Sequence, residues 1–108
     1  MEISLPTTPF AAVVIEGRFD AHEVEQFRSV IEPLLLEGSH DLSLDLTNVN
    51  FIDSTALAEL IRAMHRLRAN AHDLVIVGTS ASVRVILELT RLDLALTIRS
   101  APEVAVAS

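Results

Sequence analysis

Cysteine, lysine, tyrosine and tryptophan are all absent from this 108-residue chain, and each absence removes a class of function. Without cysteine there is no disulfide framework, no thiol catalysis and no Cys-based zinc or iron–sulfur site. Without lysine there is neither a P-loop cation nor a Schiff-base nucleophile. Four phenylalanines are the only aromatics, which leaves little to stack on nucleic acid bases. Fifteen acids against eight bases give a net charge of −7, the wrong sign for a phosphate-backbone binder, so no direct nucleic-acid contact is expected. Three glycines cannot build a phosphate-cradling loop, and neither G-x-G-x-x-G nor G-x-x-x-x-G-K-[ST] occurs. No apolar run approaches the roughly 20 residues needed to span a bilayer. The stretch Met1-Glu2-Ile3-Ser4-Leu5-Pro6 has neither the basic start nor the apolar core of a signal peptide, so a cytoplasmic protein is expected.

Half of the residues are hydrophobic, enough for one domain over 1–108 with its core at about 10–100. Short β-branched apolar runs alternate with longer amphipathic ones. Residues 10–16 read as a buried strand closed by Gly17. Asp20 with Glu23 three positions on has the form of a capping box, and Val24, Phe27, Ile31, Leu34 and Leu35 follow at helical spacing until Gly38. Residues 41–46 alternate, with Leu42, Leu44 and Leu46 on one face, and 47–53 read as a polar-punctuated connection. A second helix starts at Ser54 and buries Leu57, Leu60, Ile61, Met64 and Leu67. Leu74–Val77 reads as a strand stopped by Gly78, and Thr79 or Ser80 caps a third helix through about Leu92. Leu94–Ile98 reads as a last strand, and Ser100-Ala101-Pro102-Glu103 as a capping box opening a terminal helix. With an edge strand near Ile3-Ser4-Leu5, the order predicts an α/β fold: a mainly parallel sheet of four to five strands with helices packed on it.

Catalysis is not expected. His22, His40, His65 and His72 are scattered, and the seven-residue spacing of His65 and His72 is too long for joint ligation from one helix, so no metal site is expected. Ser54 lacks the G-x-S-x-G context and a histidine placed to pair with it. The segment Asp53-Ser54-Thr55 carries more information. Its plain reading is a helix start capped by Asp53 or Ser54. One oxygen suffices for a cap, however, so at least one hydroxyl is left at the positive end of a helix dipole. A phosphate on Ser54 would be accommodated there without unfolding the chain. On the helix that follows, Glu59 can pair with Arg62 at i+3, and Arg62, His65, Arg66 and Arg68 form a basic stretch that reads as a solvated face with a share in a partner surface. Val85 and Leu89 lie off the third helix's main apolar face and leave two readings, extra core or a patch for weak homodimerisation.

The run Asp53-Ser54-Thr55-Ala56-Leu57 resembles the D-S-[ST]-G-L signature of the STAS-domain anti-sigma factor antagonists. Gly17-Arg18-Phe19-Asp20 is similar to that family's G-x-[LF]-D turn, and the stretch from Val83 to Asp93 to its third helix, which typically ends L-x-L-T-G-L-D. The ordered set covers about residues 10–100. Ala56 and Ala58 stand where glycines are common, and Arg91 where a helix-ending glycine is frequent.

The resemblance implies a four- or five-strand sheet with helices largely on one side, and no cofactor. It also implies a partner, an anti-sigma factor with serine-kinase activity. Ser54 matches the phosphorylated serine, with Thr55 as a minor candidate. The expected partner-binding residues are Asp20, Asp53, Ser54, Thr55, Ala56 and Arg62. Two other readings stay open at this point: a non-switching STAS subunit of a lipid-transport or stress-signalling assembly, and a small-ligand or nucleotide sensor.

Overall fold

A computed structural model describes residues 1–7, 11–37 and 40–99. Strand β1 (Glu2–Ser4) precedes β2 (Val13–Phe19), a single 3-10 turn (Ala21–Glu23) and helix α1 (Val24–Glu37). Then come β3 (Leu42–Ile52), α2 (Ser54–Ala69), β4 (Leu74–Thr79), α3 (Ala81–Leu89), α4 (Leu92–Ala95) and β5 (Thr97–Ile98). The five strands lie in the order β1-β2-β3-β4-β5. β1 is antiparallel to β2, and every later pairing is parallel. Parallel neighbours taken in chain order and joined by right-handed crossovers receive all their helices on one face. That is the expected architecture. Among the described residues, no helix is long and apolar enough to cross a membrane.

The core lies between the sheet and that helical layer. Val13, Ile15, Leu44, Leu46, Leu74 and Ile76 come from the strands, and they meet Phe27 and Ile31 of α1, Leu60 and Leu67 of α2, and Val83 and Leu87 of α3. The Phe19 and Phe27 rings pack at 4.8 Å between centroids with a 38° tilt, within the distance range of favourable aromatic pairs. The uncovered face of the sheet is polar at its centre: register partners Glu16 and Asn48 share a hydrogen bond of 3.2 Å.

Several boundaries differ from the sequence reading, and bulges are the main reason. β2 does not close at Gly17 but runs on to Phe19, and β3 continues through the predicted connection to Ile52. Val14 pairs with Asp45 but Glu16 with Asn48, and Gly17 pairs with Val49 but Arg18 with Phe51. Each step inserts one extra residue into β3. Its buried positions therefore move from a spacing of two (Leu44, Leu46) to a spacing of three (Leu46, Val49, Ile52), which hides the strand's alternation. Gly17 sits inside β2 at φ +94°, a conformation that favours glycine. Gly78 likewise lies within β4 rather than ending it. A Cβ there would stand 2.4 Å from Thr47 Oγ1 and 3.0 Å from Asp45 Oδ1 on the neighbouring strand.

Farther on, Ser80 rather than Thr79 caps α3: its Oγ accepts from Val83 N at 3.1 Å and donates to Val49 O at 2.6 Å. The third helix stops at Leu89, three residues short of the expectation, because Arg91 adopts φ +63°. The short α4 then takes up Leu94, and only Thr97–Ile98 of the expected last strand pairs with β4. Val85, Leu89 and Leu94 are exposed, so the first two are not extra core. The expected helix opening at Ser100, the opening residues of the 10–16 strand and the Gly38 stop fall partly or wholly outside the described residues.

Helices α1 and α2 are clamped by charge. Glu59, only 5% exposed, accepts Arg28 Nε at 2.8 Å and Nη2 at 2.6 Å, and Arg62 Nε at 3.3 Å. Arg62 Nη2 also reaches Glu32 Oε1 at 3.1 Å, and Arg66 bonds the other Glu32 oxygen. Glu59 is thus not one half of a solvated i+3 pair but the buried centre of a network across two helices. The Arg28 hydrogen bond, above all, holds the Glu59 carboxyl below its ordinary 4.5. Asp73 is held below its ordinary 3.8 as well: burial raises it, but bonds from Thr97, Arg68 and the Leu74 amide outweigh that effect.

Glu59→Gln removes the charge from this network. It is expected to cost about 1.5–3 kcal/mol, the range for hydrogen bonds to charged groups, and to lower the melting temperature by roughly 5–15 °C. A calorimetric melt measures it. Carboxyls whose folded values lie below their unfolded ones stabilise above the unfolded value and lose that contribution as pH falls through the folded one. Melting temperature is therefore expected to hold down to about pH 5 and to drop below about 4.5, with a shallower acid limb in Glu59→Gln. A series of melts between pH 3 and 7 checks both the direction and the window.

Candidate functional site

The ends of β2 and β3, the 3-10 turn and the start of α2 converge on Asp53. Its backbone is extended (φ −110°, ψ 179°), the N-cap conformation. Oδ1 accepts Ala56 N at 2.9 Å, which caps α2, and Oδ2 accepts Ala21 N at 3.0 Å from the turn 32 residues earlier. The Asp53 amide in turn donates to Phe19 O at 3.4 Å. Both carboxylate oxygens are used by the backbone. Asp53 therefore fixes where α2 begins relative to the end of β2, and it is a structural residue at the centre of the site.

Asp20 repeats the device on a smaller scale. It caps the 3-10 turn through His22 N at 3.0 Å, and its other oxygen faces Arg18 Nε at 3.4 Å. Burial pushes its carboxyl up, but the His22 amide and Arg18 outweigh that and hold it below its ordinary 3.8.

With capping assigned to Asp53, the hydroxyls of Ser54 and Thr55 are left over. Both residues are exposed in the first turn of α2, and neither hydroxyl has a hydrogen-bond partner among the described residues. First-turn amides lack intrahelical acceptors, so a negative charge added here meets N–H groups and the positive end of the helix dipole.

The remaining expected partner residues separate. Ala56 is 0% exposed and belongs to the core cluster; its methyl faces inward, which corrects the expectation that it contributes to a surface. Ala58 is exposed one residue before Glu59. Arg62 is drawn into the Glu59–Glu32 network on the α1-facing side of the helix and lies two turns from Ser54.

Arg18 and Phe51, by contrast, were not singled out from the sequence. The two are register partners on β2 and β3, and the Arg18 guanidinium carbon lies 4.2 Å from the Phe51 ring centroid. Their pairing depends on the bulge between Gly17 and Arg18, which no local pattern announces. Among the described residues, no group of three or more His, Asp or Glu is placed to hold a metal ion.

Comparison with known proteins places this geometry in a family. The STAS domain sequence model matches residues 3–105. An anti-sigma-B factor antagonist of Staphylococcus epidermidis is 31% identical over 83 residues, covering 77% of each chain. Its counterpart in Staphylococcus aureus is 30% identical over 95 residues, covering 85% of this chain and 88% of the other. A Thermotoga maritima crystal structure described as an anti-sigma factor antagonist superposes with a TM-score of 0.75 at 21% identity, covering 89% of this chain and 85% of that one. SpoIIAA, an anti-sigma factor antagonist in its unphosphorylated form, superposes with a TM-score of 0.69 at 20% identity, covering 98% and 94%. At those identities the two structures speak for the fold, while the sequence match and the relatives carry the assignment: the chain belongs to the STAS domain family.

Proposed function

We propose that this protein is an anti-sigma factor antagonist whose binding is switched by phosphorylation of Ser54. The unphosphorylated α2 end binds an anti-sigma factor and so frees a sigma factor, and phosphate on Ser54, placed by that partner acting as a serine kinase, ends the binding. The proposal makes the protein a cytoplasmic binding module rather than an enzyme. One observation carries it: Asp53 supplies the side-chain cap of α2, which leaves an exposed serine hydroxyl at the helix start without a hydrogen-bond partner among the described residues. The naming of relatives at 30–31% identity as anti-sigma-B factor antagonists supports the choice of partner.

The geometry favours a switch that acts on the interface and not on the fold. A phosphate at a helix N-terminus gains about 0.3–1 kcal/mol from the dipole, and the neighbouring Asp53 carboxylate opposes it. The two effects nearly cancel in the free protein. At an interface the same dianion adds bulk, repels acidic groups and must be desolvated, so the cost falls on the complex.

The test is incubation with ATP and purified anti-sigma factor kinases, with the phosphate located by mass spectrometry. Labelling is expected on Ser54, with Thr55 the minor site. Undiminished labelling of Ser54→Ala would refute the assignment. In titration calorimetry beside thermal melts, Ser54→Asp is expected to fold normally and bind more weakly, whereas Ser54→Ala folds and binds without regulation. Asp53→Ala should do the reverse to the fold. Loss of the cap costs about 1–2 kcal/mol, so the melt falls even in the absence of any partner.

A further inference from the structure

Arg18 is held ready at the edge of the Ser54 site. Its side chain is 60% exposed, yet the guanidinium stacks on Phe51 at 4.2 Å and Nε is turned toward Asp20 Oδ2 at 3.4 Å. Asp20 is in turn fixed by the His22 amide. Both terminal NH2 groups, four N–H donors in a planar fork, have no acceptor among the described residues. The arginines on the neighbouring helices differ in this respect: the terminal nitrogens of Arg28, Arg62 and Arg66 already face Glu59 or Glu32. Phe51 keeps 39% of its surface exposed and lies near the end of β3, two residues before Asp53.

We propose that Arg18, stacked on Phe51, is a specificity-determining residue for the partner, and that it receives a carboxylate side chain lying beside an apolar residue on the anti-sigma factor. The inference rests on the function proposed above and deepens it. Three properties argue for it. First, a guanidinium fork matches a carboxylate bidentately, and its stacking against a ring fixes its orientation before encounter, so less freedom is lost on binding. Second, Arg and aromatic residues are the types that concentrate binding energy at interfaces, and here they touch. Third, the two acids of the site cannot serve this role, because an ionised carboxylate only accepts hydrogen bonds, and Asp53 and Asp20 already accept from backbone amides. On a chain of net charge −7, Arg18 is then a positive group beside Ser54 whose terminal N–H donors can tell an acidic partner patch from a basic one.

The test titrates each purified anti-sigma factor kinase of the source genome with wild-type protein, Arg18→Ala, Arg18→Lys, Phe51→Leu and Ser54→Asp, alongside thermal melts, at low and high NaCl. Truncating one partner of a close charge pair typically weakens binding by tenfold or more, so Arg18→Ala is expected to lose about tenfold or more in affinity with its melt unchanged. Arg18→Lys should recover only part of this, because the charge is kept but the fork is lost. Phe51→Leu should fall between wild type and Arg18→Ala. Wild-type affinity should drop with salt more steeply than that of Arg18→Ala. If Arg18→Ala binds within about twofold of wild type while Ser54→Asp is weakened, the inference is overturned and the function stands. If Arg18→Ala is weakened and Ser54→Asp is not, the inference stands and the Ser54 switch falls. If wild type binds none of the kinases, both are overturned.

Discussion

A single carboxylate sets the geometry of the functional end. Asp53 accepts one amide from α2 and another from the turn that follows β2, at 2.9 and 3.0 Å. Those two elements are far apart in sequence and adjacent in space, and each has orphan N–H donors at its start that must find an acceptor. Meeting both demands with one side chain ties the beginning of α2 to the end of β2. The Phe19 carbonyl closes the same junction from the opposite side by accepting the Asp53 amide. Everything exposed at this end, including Ser54, Thr55, Phe51 and Arg18, takes its position from that junction.

The rest of α2 is held independently. Its apolar face sinks Leu57, Leu60, Met64 and Leu67 into the core, and its flank is fastened to α1 by the Glu59 network. Burying a carboxylate is costly unless it is paired and fully bonded. Glu59 meets that condition with two guanidiniums that themselves reach water. The helix is therefore fixed at its N-terminus by a cap and along its length by packing and charge, and neither device uses the Ser54 hydroxyl. Stability and the hydroxyl proposed to carry the switch occupy different atoms of one helix.

This division also explains what could be read from the chain before its structure. Helix positions followed from the 3.6-residue spacing of residues such as Val24, Phe27 and Ile31, because helical packing leaves a local periodic signal. That Asp53 or Ser54 caps α2 and leaves at least one hydroxyl spare was legible for the same reason, being a matter of neighbouring residues; the choice of Asp53 comes from the structure. Strand limits were not. Gly17 and Gly78 look like punctuation in one dimension, but each lies inside a strand, one at a positive φ and the other where the Thr47 and Asp45 side chains leave no room for a Cβ. The bulges in β3 re-phased Val49 and Ile52 and turned eleven residues of strand into an apparent strand and loop. The double use of Asp53 and the Arg18–Phe51 stack both depend on contacts between segments some thirty residues apart. No window of sequence contains them.

The switch proposed for Ser54 would have a particular economy of motion. Because the cap belongs to Asp53, a phosphate on Ser54 would break no side-chain bond that orders α2, and under the proposal the discrimination resides in what the partner meets. On one side of the junction lies a hydroxyl that can become a dianion, and on the other a guanidinium already oriented by an aromatic ring and an aspartate. Under the proposals above, such a surface would be read by charge at short range, where desolvation makes each misplaced sign expensive. A covalent change of two charges on one side chain can therefore decide binding without any rearrangement of the fold that presents it.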